Sequence, residues 1–95
     1  MKKNVRAHVK ISGRVQGVCY RMETRHTAEV FGVTGWVRNK ADGSVEAVFE
    51  GDEESVNSIL EWCRQGPSNA LVRNVDIQWE DYVGEFRRFE ITYAG

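Results

Sequence analysis

Residues 5–24 read Val5-Arg6-Ala7-His8-Val9-Lys10-Ile11-Ser12-Gly13-Arg14-Val15-Gln16-Gly17-Val18-Cys19-Tyr20-Arg21-Met22-Glu23-Thr24, and the spacing of their apolar residues changes once. Up to Ile11, apolar Val5, Ala7, Val9 and Ile11 alternate with Arg6, His8, Lys10 and Ser12, the period-2 pattern of a half-buried strand. Gly13 to Gly17 interrupts it. From Tyr20, the residues Tyr20, Thr24, Thr27, Ala28 and Phe31 fall on one helical face, and Gly32 supplies a stop. A strand therefore feeds a helix through a short glycine-bearing loop.

Working outward, Gly35 to Lys40 reads as a second strand and Asp42-Gly43 as a hairpin turn. A third strand runs from Ser44 to Glu50, with Val45, Ala47 and Phe49 on one face. Asp52 is the expected N-cap of a second helix, with Glu53 and Glu54 complementing its dipole. Val56, Ile59, Leu60 and Cys63 form its apolar stripe, and Gln65-Gly66-Pro67 ends it. Leu71, Val75, Ile77 and Trp79 mark a fourth strand; after the polar stretch Asp81 to Glu85, Phe89, Ile91 and Tyr93 mark a short fifth.

The order is βαββαβ plus a terminal strand. Two helices cannot cover both faces of such a sheet, so they share one face and leave the other to water. The expected fold is α+β, a ferredoxin-like α/β sandwich: an antiparallel sheet with two helices on one face and strands 1 and 3 in the middle. That topology sets the loop after strand 1 at the same sheet end as the hairpin after strand 2. Residues 1–95 are expected to form a single domain, since 95 residues are too few for two independent cores.

Thirteen Lys and Arg against fourteen Asp and Glu give a net charge of −1, which offers no electrostatic reason to bind nucleic acid or an anionic membrane. No apolar run reaches the ~18–20 residues that cross a bilayer, and the alternating N-terminus lacks a signal peptide's apolar stretch. A cytoplasmic location and a monomer are expected. Cys19 and Cys63 are too few for a disulfide framework, and with His8 and His26 they match no metal-ligand spacing. No metal and no cofactor are expected.

The loop Gly13 to Tyr20 lies at a helix N-terminus, where free N–H groups and the dipole favour an anion. Gly13 and Gly17 let it curl and present successive amides as a nest. Arg21, in the first helical turn, opposes the macrodipole at a cost of about 0.3–1 kcal/mol; a bound anion would reverse that sign. Pattern alone leaves open that Arg14 and Arg21 are solvated surface charges. Asn39, at the end of strand 2, carries an amide able to hold a water, although on local grounds it reads first as a turn residue before the hairpin. Trp36, Trp62 and Trp79 read as core or core-edge, and His8 and His26 as exposed.

Gly13-Arg14-Val15-Gln16-Gly17-Val18 with Tyr20-Arg21, then Gly35-Trp36-Val37-Arg38-Asn39, resemble the two signatures of the acylphosphatase family. Asp42 to Glu46, Glu50-Gly51, Gly66-Pro67 and Phe89 to Tyr93 extend the resemblance over nearly the whole chain. It implies hydrolysis of acyl phosphates, small-molecule substrates, to a carboxylate and inorganic phosphate, with inorganic phosphate also a competitive inhibitor. It further implies that Arg21 binds the phosphate and Asn39 orients the attacking water. Backbone amides of Val15, Gln16, Gly17, Val18, Cys19 and Tyr20 complete the cradle. Two positions depart from the pattern: Tyr20 stands where Phe is usual, and Cys19 where a small residue or an aromatic is more typical.

The residue chemistry agrees, because a carboxylate leaves without needing a proton and no general acid is required. Charge stabilisation and an in-line water remain. An RNA-binding module on the same fold would need aromatics on the open sheet face. The outward residues Arg6, His8, Lys10, Ser12, Glu46, Val48 and Glu50 include none. A nearer alternative is the acylphosphatase-like N-terminal domain of hydrogenase-maturation carbamoyltransferases. Those domains head longer chains with cysteine-rich segments, and this chain is expected to stand alone.

Overall fold

The computed structural model describes residues 3–93; Met1, Lys2, Ala94 and Gly95, the ends of the expected 1–95 domain, lie outside the described residues. Its elements are β1 (Asn4–Arg14), α1 (Tyr20–Phe31), β2 (Thr34–Asn39), β3 (Val45–Asp52), α2 (Glu53–Gln65), β4 (Leu71–Glu80) and β5 (Phe89–Ile91). The sheet order is β4-β1-β3-β2-β5, with β1 and β3 adjacent in the middle as expected. Pairing is antiparallel from β4 through β2, and the short β5 joins β2 in parallel. The βαββαβ ferredoxin-like sandwich is therefore present, with one parallel edge.

Both helices cover one face. The alternating residues Val5, Ala7, Val9 and Ile11 of β1 meet Val45, Ala47 and Phe49 of β3 and the stripe Val56, Ile59, Leu60 and Cys63 of α2, all buried. From α1, Tyr20, Thr24 and Ala28 are buried, whereas Phe31, in the last turn, is 38% exposed. Gly32 N–H donates to Glu29 and Val33 N–H to the Ala28 carbonyl, closing the helix end. Asp52 caps α2 as expected, its carboxylate accepting from Ser55 N–H at 3.0 Å. No helix among the described residues is long and apolar enough to cross a membrane.

The opposite face is not left to water. Joining the edge strand β4 to β5 at the other edge takes residues 81–88 across the sheet. Glu50, only 1% exposed, accepts from Val83 N–H at 2.9 Å, from Gly84 N–H at 3.2 Å and from Arg6 Nη1 at 3.2 Å. Arg6 also lies over the Phe86 ring. Nearby, His8 sits between Glu46 (2.6 Å) and Glu80 (3.1 Å), and Arg38 pairs with Glu46. Burial by itself would raise the Glu46 carboxyl, but the His8 and Arg38 contacts outweigh it and hold it below the usual range. Trp36 belongs to this outer layer, edge-on to His8 and under Arg38, and Trp79 is 52% exposed. Of the three tryptophans only Trp62 packs against the main core.

Where the helices meet, the Tyr20 hydroxyl donates to the Cys63 carbonyl at 2.7 Å and its ring tilts against Trp62. In a continuing helix that carbonyl would accept from the N–H of residue 67, but Pro67 has none. The Tyr20 hydroxyl stands in for it. Burial pushes the phenol far above its ordinary pKa, so it remains a donor. Tyr20→Phe should therefore cost about 1–3 kcal/mol, the penalty of a deserted buried acceptor. The midpoint of thermal unfolding should fall by about 4–8 °C per kcal/mol lost. An unchanged midpoint would contradict the capping role.

Candidate active site

A register shift in the β1–β4 pairing between Ser12 and Gly13 aims the chain into the loop. Gly13 has φ +126°, and a Cβ there would meet the Leu71 carbonyl oxygen at 2.1 Å, so only glycine fits. Val15 is 1% exposed and anchors the loop in the core. Gly17 (φ 74°) and Cys19 (φ 64°) then take left-handed conformations on either side of Val18. A left-handed residue other than glycine or asparagine is strained by ~1 kcal/mol or more. Cys19 is the N-cap of α1, yet its side chain makes no capping hydrogen bond. The first-turn amides of α1 thus end at the loop with no side-chain acceptor of their own, the arrangement that accepts an anion.

Gln16 fastens this loop to the hairpin. Its Nε2 donates to the Lys40 and Ser44 carbonyls, both at 2.8 Å. The hairpin is itself held by Asp42, which accepts from Ser44 Oγ at 2.6 Å and Ser44 N–H at 2.9 Å and pairs with Lys10 at 3.0 Å. The Ser44 hydroxyl and amide, then Lys10, hold the Asp42 carboxyl far below the usual range. Asn39 closes β2 opposite Val45, one residue before the Gln16 attachment. Its Oδ1 is buried and has no hydrogen-bond partner among the described residues. On the other flank, Thr92 N–H donates to the Val37 carbonyl at 2.9 Å, and the Arg21 guanidinium lies 5.3 Å over the Tyr93 ring. No carboxylate among the described residues pairs with Arg21.

An open concavity of about 350 Å³ lies between the loop, the first turn of α1 and the end of β5. Val15, Gly17, Cys19, Tyr20 and Arg21 line it, together with Met22, Ile91 and Tyr93. Gln16, Val18 and Asn39 do not. Gln16 is spent on the tether, and Asn39 lies on β2, paired with Val45. Arg21 is the one charged residue of the lining, whereas four other surface concavities each carry at least two carboxylates. Met22 and Tyr93 were not legible as lining residues, although Met22 falls off the core stripe of α1 and so had to face elsewhere.

Residues 7–91 match the acylphosphatase family. The chain belongs to that family. An acylphosphatase of Pelotomaculum thermopropionicum is 57% identical over 88 residues, covering 93% of this chain and 96% of the relative. Among solved structures, the Bacillus subtilis acylphosphatase superposes with a TM-score of 0.90 at 30% identity, covering 94% of this chain and 99% of that one. The Coxiella burnetii acylphosphatase gives 0.85 at 39%, covering 94% and 93%. Acylphosphatases are enzymes, and the loop and Arg21 described above carry the first of the two signatures read in the sequence.

The two cysteines of this acylphosphatase are free, Cys19 exposed on the concavity and Cys63 fully buried. Burial pushes the Cys63 thiol up to about 12, so it resists reaction as well as access. A thiol-alkylating reagent should therefore modify Cys19 and spare Cys63 in the native protein. Modification should abolish activity, inorganic phosphate should slow it, and Cys19→Ser should be active and resistant. Full activity after quantitative alkylation of Cys19 would contradict its place in the site.

Proposed function

We propose that this acylphosphatase binds its substrate by the phosphoryl group, with Arg21 and the backbone amides of the Val15–Tyr20 loop holding the oxygens and Asn39 holding the attacking water. The observation that carries the reading is a concavity with a single cation and no carboxylate, opening onto an uncapped helix N-terminus. The planar guanidinium suits two phosphoryl oxygens, and the Tyr93 ring beneath it leaves its N–H edge available.

Water donates one O–H to the buried, otherwise unpartnered Asn39 Oδ1, which turns a lone pair toward phosphorus. The water oxygen–phosphorus bond forms as the bond from phosphorus to the acyl oxygen breaks. The electron pair leaves with the carboxylate, and the water proton passes to a phosphoryl oxygen of the substrate. The departing carboxylate is already a stable anion, so no acid need protonate it. Catalysis then rests on positioning and on charge stabilisation by preorganised donors.

This division of labour separates two variants. Arg21→Ala should raise KM steeply, lower kcat and abolish competitive inhibition by inorganic phosphate. Asn39→Ala should keep that inhibition while kcat on benzoyl phosphate falls about 100-fold, roughly 2.7 kcal/mol of barrier. Intact phosphate inhibition in Arg21→Ala, or its loss in Asn39→Ala, would overturn the assignment.

A further inference from the structure

Two exposed arginine side chains beside the loop make no ion pair. Arg14 ends β1, and Arg73 stands two residues along β4 from Leu71, the strand partner of Arg14. The amide nitrogen of Arg73 lies 2.8 Å from the point that a Gly13 Cβ would occupy, so the pair flanks the first residue of the phosphate loop. Like charges on neighbouring positions of a strand pair repel, and no carboxylate among the described residues offsets these two. Arg6, near the other end of β1, instead contacts Glu50, Glu80 and Glu85.

Charge is spread unevenly over a chain whose net charge is −1. The 11 residues of β1, at ~3.3 Å each, set the two ends of the sheet about 35 Å apart. At the loop end, residues 13–23, 39–44 and 61–74 carry five cations and three carboxylates. At the other end, residues 50–54 and 79–85 carry seven carboxylates and no Lys or Arg. With a Debye length of about 10 Å at 0.1 M salt, those carboxylates do not cancel the field around the loop. Two of the five cations have local duties: Lys40 shares the open-face concavity with Glu46 and Asp76, and Arg64 complements the C-terminal dipole of α2. Arg21 lines the site. Arg14 and Arg73 are left.

We propose that Arg14 and Arg73 form a cationic collar beside the phosphate loop, which attracts the anionic substrate through water and does not touch the reacting atoms. The assignment rests on the phosphoryl group lying at Arg21 and the loop. The chain as a whole has the same charge sign as its substrate, so attraction depends on where its cations stand. A cation-rich end raises the local concentration of the anion and directs its approach to that end. Arg21, inside the concavity, then takes the phosphoryl oxygens. Arg14 and Arg73 lie outside the lining and act only through their field. Salt screens a field through water, so their effect must fade as salt rises, and it must appear in binding and not in turnover.

The test is the double variant Arg14→Gln/Arg73→Gln, assayed on benzoyl phosphate from roughly 0.01 to 0.5 M ionic strength, where the Debye length falls from about 30 Å to a few Å. Its control is Arg87→Gln/Arg88→Gln, which removes the same two charges just before β5, at the opposite end of the sheet. At the lowest salt the collar variant should raise KM and the inhibition constant of inorganic phosphate about fivefold, with kcat unchanged. At the highest salt the difference should shrink below about twofold, and the control should stay within about twofold of wild type throughout. No rise at low salt, a rise that persists at high salt, an equal rise in the control, or a fall in kcat would overturn the assignment. Loss of phosphate inhibition in Arg21→Ala, measured alongside, would place such a failure in the collar and not in the phosphate site.

Discussion

The passage from β1 into α1 is the constraint on which the site depends. The chain must leave a central strand and begin a helix within residues 15–19, and it does so with Gly17 and Cys19 in left-handed conformations and no side-chain cap. Two features of that turn are unfavourable taken alone. Cys19 carries strain of about 1 kcal/mol or more, and Arg21 places a cation in the first helical turn at about 0.3–1 kcal/mol. The second of these would change sign with an anion at the helix N-terminus. With negative charge in the cradle, the unsatisfied amides gain an acceptor and the arginine gains a partner.

The rest of the fold keeps that turn in place. Val15 sinks into the core, and Gln16 ties the loop to the β2–β3 hairpin next to Asn39 in the chain. Tyr20 binds the start of α1 to the end of α2 through the carbonyl that Pro67 leaves unserved. On the far side of the sheet, Glu50 fastens the 81–88 crossing that delivers β5 to its place beside β2. Tyr93 follows β5 and meets Arg21. A carboxylate on the face opposite the helices thus helps position an aromatic ring under Arg21.

Much of this was legible in the sequence because it is local. Period-2 alternation in β1, the helical stripe of α2, the Asp52 cap and the Asp42-Gly43 turn are properties of neighbouring residues, and the two glycine-containing signatures located the loop and Asn39. What escaped was long-range. Glu50 alternates outward and reads as solvated; its burial exists only because Val83 and Gly84, more than 30 residues on, lie across it. The parallel pairing of β5 follows from the same crossing. Trp79 fits a strand pattern but lies on an edge strand that neither helix fully covers, so it stays exposed. Gln16 was read as a backbone amide in the cradle, and nothing local announces that its side chain would reach two hairpin carbonyls.

The central claim is that phosphate sits in the uncapped turn ahead of α1, against Arg21. Titrating the ¹⁵N-labelled protein with inorganic phosphate and following each backbone amide by NMR tests it directly. The account predicts saturable shifts largest at Gly17 to Arg21, with smaller ones at Asn39 and the hairpin tethered by Gln16. Shifts centred on His8, Lys10 and Gln78 on the face opposite the helices, or none in the loop at saturating phosphate, would contradict it.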